Sequence, residues 1–341
     1  MSYTDHYGLD AAPFALTPDP RFWFESATHK KAMAYLGYGL QQAEGFIVVT
    51  GEVGAGKTTL VGLLIERLDP ARVAVVKLVS TQVEGDDVLR LAAQGFDLPT
   101  EGVAKAQLLD RIERYLIDRA REGRKTLLIV DEAQNLGVSA LEDLRMLSNF
   151  QSGGRALLQI LLLGQPEFRD RLASPALEQL RQRVIATHHL DAMGVEEVRR
   201  YLEHRLGVVG WTGRPQFDDD ACATLHRVSG GIPRRINQLA TRVLLMAAID
   251  DVEVIDASLV ERVLSDFGDE QKTAVAPAND LEAASSAAPD FTAATSALAP
   301  RVAMLEAQIE AQEAALRRVL TLMIDFVEQG EAAENPRARS A

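Results

Sequence analysis

Gly51-Glu52-Val53-Gly54-Ala55-Gly56-Lys57-Thr58 carries the G-x-x-x-x-G-K-[ST] spacing, and Thr59 follows it directly. These residue types suit a bound polyphosphate. Glycines admit positive φ and let successive backbone N–H groups approach phosphate oxygens. A helix opening at the end of the motif adds the partial positive charge of its N-terminus. Lys57 can then reach the β- and γ-phosphates, and the Thr58 hydroxyl can ligate Mg²⁺.

A second group closes the apolar run Leu127-Leu128-Ile129-Val130 with Asp131-Glu132. The first carboxylate suits Mg²⁺, directly or through a water, because hard cations take oxygen ligands. The second can orient and deprotonate a water for in-line attack on a γ-phosphorus. This pairing points to hydrolysis rather than passive binding. Gln165, in Gly164-Gln165-Pro166-Glu167, stands where a polar side chain can contact the γ-phosphate or the attacking water. Arg181 and Arg183 lie just before a predicted strand, where one of them could stabilise charge on a neighbouring subunit's nucleotide. Arg234, in Gly230-Gly231-Ile232-Pro233-Arg234-Arg235, can reach the nucleotide from a second domain.

The elements that must position these groups are legible as alternating periods. Continuous apolar runs predict buried parallel strands at 46–50, 73–79, 126–130, 157–163 and 184–188. Helices are predicted between them near 58–68, 85–94, 103–121, 138–149 and 166–180. The expected fold is an α/β, P-loop, three-layer parallel sheet over residues 46–192. From residue 193 the pattern becomes wholly helical, with segments at 195–206, 218–228, 233–248 and 257–267 forming a small lid domain over 193–267. Asp218 and Asp256 suit helix caps, and Pro233 suits a first turn.

Residues 1–45 hold Pro13-Phe14, Phe22-Trp23-Phe24 and a helix predicted from Ser26 to Gln42. The aromatics fit either a partner-binding patch or packing across the nucleotide-binding face. Residues 268–300 are rich in Ala, Ser, Thr and Pro, a composition expected to form a flexible linker. Over 301–330, apolar residues return at spacings of three and four from Val302 to Phe326. That register predicts an amphipathic helix that self-associates, docks on a partner or lies solvated on the body.

Composition narrows the field. The chain has 341 residues, 47% apolar and 25% charged, with a formal net charge of −13. That balance provides for a proper core and disfavours nucleic acid as the main partner. Cys222, the sole cysteine, lies in an apolar helical pattern and reads as a small core residue in a reducing compartment. No run approaches the ~18–20 apolar residues that cross a bilayer, and the first residues show no signal-peptide pattern. The expected location is cytoplasmic, at most peripheral on the inner membrane.

In order, the phosphate loop, Asp-Glu strand, polar strand end, arginine before the fifth strand and Gly-x-Pro-Arg lid resemble the AAA+ ATPases. Tyr7-Gly8-Leu9, Thr17-Pro18-Asp19-Pro20, Asp131-Glu132-Ala133-Gln134-Asn135, Leu144-Arg145-Met146-Leu147-Ser148-Asn149-Phe150 and Arg181-Gln182-Arg183 are similar to the general secretion pathway protein A (ExeA-like) ATPases, particularly the exosortase/PEP-CTERM exopolysaccharide-locus subtype. The resemblance covers residues 1–267. It implies a 5-1-4-3-2 sheet, ATP with Mg²⁺, and a homo-oligomer whose arginine finger works in trans. It implies Lys57 and Thr58 on phosphate and metal, Asp131 on Mg²⁺ and Glu132 as base. Gln165 would fall near the first sensor position and Arg234 would be the second sensor. Envelope secretion, exosortase or polysaccharide-export components are the implied partners. Two other readings of the same core are a DNA-associated transposition regulator and a slow nucleotide-dependent switch.

Overall fold

The computed structural model describes residues 2–17, 19–79 and 86–274. Five strands build one parallel sheet: β1 (Phe46–Gly51), β2 (Val73–Val79), β3 (Lys125–Asp131), β4 (Leu158–Gly164) and β5 (Val184–Leu190). Their spatial order is β5-β1-β4-β3-β2. Every residue of β1 and β4 is buried, which explains why both read as unbroken apolar runs rather than alternating ones.

The two sides of each strand enter different cores. Phe46, Val48, Leu128, Val130, Ile160 and Leu162 face one cluster. Ile47, Val49, Leu127, Ile129, Leu161 and Leu163 face the other. This period of two makes three layers. Each such buried side chain contributes about 1.5–3 kcal/mol relative to exposure, so the sheet centre is the most costly place to perturb.

The helices, in chain order, are α1 (Tyr3–Tyr7), α2 (Ala27–Gln42), α3 (Lys57–Arg67), α4 (Asp86–Gly95), α5 (Lys105–Arg121) and α6 (Val138–Leu147). They continue with α7 (Pro166–Leu172), α8 (Glu178–Arg181), α9 (Val195–Val208), α10 (Asp219–Ser229), α11 (Pro233–Ile249) and α12 (Ala257–Ala274). The single helix expected over 166–180 is broken. Pro175 has no N–H and holds Ser174 extended at ψ 148°, so α7 ends and a 3₁₀ turn precedes α8.

Helices α9 to α12 form the lid around Val198, Leu225, Ile236, Leu244 and Val260. The side chain of Asp218 accepts from Ala221 N at 2.7 Å and that of Asp256 from Leu259 N at 2.9 Å, each satisfying a free N–H of a first helical turn. Cys222 is buried in this core. The N-terminal aromatics pack mainly here too. Leu9, Phe14 and Phe22 belong to the lid core, and Tyr7 donates to Val252 O at 2.9 Å.

Helix α12 continues to Ala274, seven residues beyond the expected lid edge at 267. The linker and amphipathic helix expected further on lie outside the described residues. Among the described residues, no helix is long and apolar enough to cross a membrane.

Candidate nucleotide site

The carboxyl ends of β1, β3 and β4 converge on one edge of the sheet. The chain leaves β1 at Gly51 and enters α3 at Lys57, and Gly54 and Gly56 take φ of +85° and +96°. Only glycine holds such values without strain. Added Cβ atoms would also collide: one at Gly56 would lie 2.8 Å from His29 Nε2, and one at Gly54 would lie 2.4 Å from Arg234 Cβ. Helix α3 has no side-chain cap, so its first N–H groups are free for an anion.

Lys57 is 7% exposed and donates through Nζ to Gly51 O at 2.6 Å and Glu52 O at 3.0 Å. Burial lowers its pKa from the usual lysine value, while the nearby Glu132 and Asp131 carboxylates oppose that shift. The ammonium is thus desolvated, and a phosphate oxygen would give it a stronger partner than the two carbonyls.

Thr58 Oγ1 donates to Asp131 Oδ2 at 3.3 Å, and Asp131 is itself buried. Lys77 Nζ, from β2, also lies 3.3 Å from Asp131 Oδ2. Two oxygen donors beside a phosphate cradle are what Mg²⁺ takes from protein in nucleotide sites, with phosphate and water completing its shell. Thr58 and Asp131 therefore fit that ion.

Glu132 has φ +55°, a left-handed value that is uncommon for a residue with a Cβ. The turn aims its carboxylate at two amides. Gln134 Nε2 donates to Glu132 Oε2, and Gln165 Nε2 donates to the same oxygen at 3.3 Å. Gln134 Oε1 in turn accepts from Gln165 N at 3.1 Å, tying the end of β3 to the end of β4. Gln165 therefore sits on the carboxylate of Glu132 in this conformation.

Arg234 opens α11, where Gly230 and Gly231 at φ +62° and +71° turn the chain and Pro233 starts the helix. Its N–H donates to Gly54 O at 3.3 Å, which brings the lid onto the phosphate loop. A cavity of about 280 Å³ lies beside the loop, bordered by Gly54, Lys57, Thr58, Thr59, Glu132 and Arg234. The structure does not bring Arg181 and Arg183 into this group. Arg181 is exposed and donates to Ala173 O at 3.1 Å, and Arg183 reaches toward Ser148 O at 3.4 Å.

Phe22, Trp23 and Phe24 line the cavity, in keeping with the expected packing of that aromatic cluster across the nucleotide-binding face. Tyr201, Arg205 and Asn237, which also line it, escaped the sequence reading. Among the described residues, buried Arg205 has no carboxylate in its hydrogen-bond set. It donates to Pro13 O at 2.5 Å, Ala15 O at 3.3 Å and Tyr201 Oη at 3.0 Å, with its guanidinium 4.6 Å from the Phe22 ring centroid. These bonds fasten the N-terminal segment to the lid.

His29 supports the loop from below. It is buried, its Nε2 lies 3.1 Å from Ala55 O, and its Nδ1 lies 2.7 Å from Ser26 Oγ. A carbonyl only accepts, so the network assigns a proton to Nε2, while Nδ1 pairs with the Ser26 hydroxyl. Burial holds the His29 pKa below the usual histidine value. Between that lowered value and the ordinary one, the unfolded chain binds more protons than the folded one, so stability rises with pH. His188, also lowered by burial, acts in the same sense. Melting temperature should therefore fall between about pH 7 and pH 5, and His29→Gln should flatten part of that slope in a series of thermal melts.

A family model described as AAA domain matches residues 40–172. Over 246 residues, the chain is 39% identical to general secretion pathway protein A of Aeromonas hydrophila, covering 72% of this chain. The chain spans about half the length of that relative, 45%. Among solved structures it is similar to the ORC2 protein of Aeropyrum pernix, with TM-score 0.55, 19% identity, and coverage of 75% of this chain and 71% of that one. It is also similar to Cdc6p of Pyrobaculum aerophilum, with TM-score 0.56, 15% identity, and coverage of 76% and 71%. Sheet, phosphate loop and helical lid together give this chain an AAA-type P-loop fold, and residues 40–172 are the part that the AAA domain model matches.

Proposed function

We propose that this chain is an ATPase that acts as a homo-oligomer and drives assembly or remodelling of an envelope system. The observation that carries hydrolysis is the Glu132 carboxylate, held by two glutamine amides at the mouth of a phosphate cradle. ATP is the substrate. Lys57, the loop amides and Arg234 hold its phosphates, Glu132 takes a proton from water, and Gln134 and Gln165 fix the angle of that carboxylate. Thr58 and Asp131 would hold Mg²⁺, which would neutralise charge on the phosphates when bound.

Similarity to general secretion pathway protein A supports a secretion role. The finer reading, an exosortase or exopolysaccharide locus with its export components as partners, rests on the quoted N-terminal and Asp-Glu-Ala-Gln-Asn motifs. The protein works on the cytoplasmic side, in solution or peripherally on the inner membrane. Arg181 or Arg183 serves the neighbouring subunit's ATP, which accords with both lying away from the cavity of their own chain.

Complementation tests the shared site. Chains carrying Arg181→Ala with Arg183→Ala and chains carrying Lys57→Met should each be inactive. Mixing them should restore part of the turnover, because one kind keeps a nucleotide site and the other keeps the arginines. Mixtures that stay inactive would place the finger in cis and remove the oligomeric part of this reading.

A further inference from the structure

We propose that the cleft at the sheet edge opposite the phosphate loop docks a short acidic, apolar-rich peptide segment of a partner protein. The amino ends of β2 and β3 and the chain leading into β4 open there, at Val73, Lys125 and Leu157. The nucleotide site lies at the other ends of the same strands, so the two faces do not overlap. The cleft has a volume of about 860 Å³, against about 280 Å³ beside the phosphate loop.

Its lining has three chemically distinct parts. Leu40, Leu68, Ile117 and Leu157 form an apolar wall. Arg124, Lys125 and Arg155 add positive charge and make no ion pair among the described residues, while Arg121 beside them is paired with Asp118 at 3.1 Å. Glu44 is the acidic side chain on the lining. In a chain of net charge −13, this is a local inversion of sign that would draw an acidic partner.

The third part is a pair of buried donors. Thr126 is 2% exposed and its Oγ1 has no hydrogen-bond partner among the described residues. Among the described residues Arg124 Nε is likewise buried without a partner, although the far end of that guanidinium donates to Pro70 O at 3.0 Å. Buried polar atoms are almost always paired, so two orphaned donors in one cleft call for an acceptor. A peptide meets all three demands at once. Its carbonyls accept from Thr126 and Arg124, its apolar side chains cover the wall, and its carboxylates meet the cations. A small inorganic anion would leave the wall bare, and a hydrocarbon chain would leave both donors unpaired.

Fluorescence anisotropy on the full-length protein tests this. The probe is a fluorescein-labelled peptide alternating leucine and glutamate, about ten residues long, matching the two-residue period of an extended segment. It should bind at least about tenfold more tightly than leucine–lysine and serine–glutamate controls, and weaken as salt rises from about 0.05 to 0.3 M. Lys125→Glu with Arg155→Glu, both exposed sites, should reduce affinity about tenfold or more, and Thr126→Val severalfold, with nucleotide binding unchanged and melting temperature not lowered. Equal binding of the control peptides, or unchanged affinity after the double charge reversal, would overturn the proposal.

Discussion

Lys57→Met should lose ATP affinity by about two orders of magnitude. The ammonium is buried, so its partners see little solvent, and charge-assisted hydrogen bonds are each worth about 1.5–3 kcal/mol. At about tenfold per 1.4 kcal/mol, losing one or two such bonds to phosphate gives that factor. Methionine keeps the length and apolar stem of the side chain, so α3 and the core around Leu60 and Leu64 should hold. Titration with a fluorescent ATP analogue measures the loss, and a melting curve shows that the fold survives. Affinity within about threefold of the unaltered protein would mean that Lys57 stays on the Gly51 and Glu52 carbonyls when nucleotide binds.

Glu132→Gln should leave ATP binding nearly intact and lower turnover by about 10²–10⁴-fold, the usual contribution of a general base. Glutamine preserves the shape of the side chain, and its carbonyl oxygen can still accept from Gln134 and Gln165. What it removes is the basic lone pair and the negative charge. Because the carboxylate is held from two elements, the variant should not reorganise the strand ends. The pair of outcomes separates binding from chemistry: Lys57 governs the first and Glu132 the second.

How far these roles could be read in advance depended on whether they were local. The loop from Gly51 to Lys57 is a contiguous motif whose glycines meet local backbone demands, so its strand–turn–helix geometry was readable from spacing. β1, β3 and β4 were readable because a strand buried on both faces cannot hide its apolar run. The helix over 166–180 was over-extended because its apolar spacing continues across Pro175, and only the missing N–H at that position breaks it.

Tertiary roles were harder. Gln134 stands in a recognisable Asp-Glu-Ala-Gln-Asn run, but its function is to join β3 to β4, which no spacing within one strand reveals. Gln165 was expected to contact the γ-phosphate or the attacking water, and its bond to the Glu132 carboxylate is a link between strand ends that no local spacing reveals. Lys77 had a visible signal, a single charge inside Val-Ala-Val-Val-Lys-Leu-Val, whose meaning emerges only when β2 pairs with β3 and brings it to Asp131. His29 was hidden by its distance in sequence from Ala55, although Ser26, three residues earlier, already marked the helix start.

The most direct measurement follows bound nucleotide and released phosphate in the same sample, for the unaltered protein and for Glu132→Gln. The account predicts that the unaltered protein releases phosphate steadily, while the variant retains ATP and releases phosphate at least about a hundredfold more slowly. Phosphate release by Glu132→Gln at the unaltered rate would contradict it, because the carboxylate between Gln134 and Gln165 would then have no part in activating water.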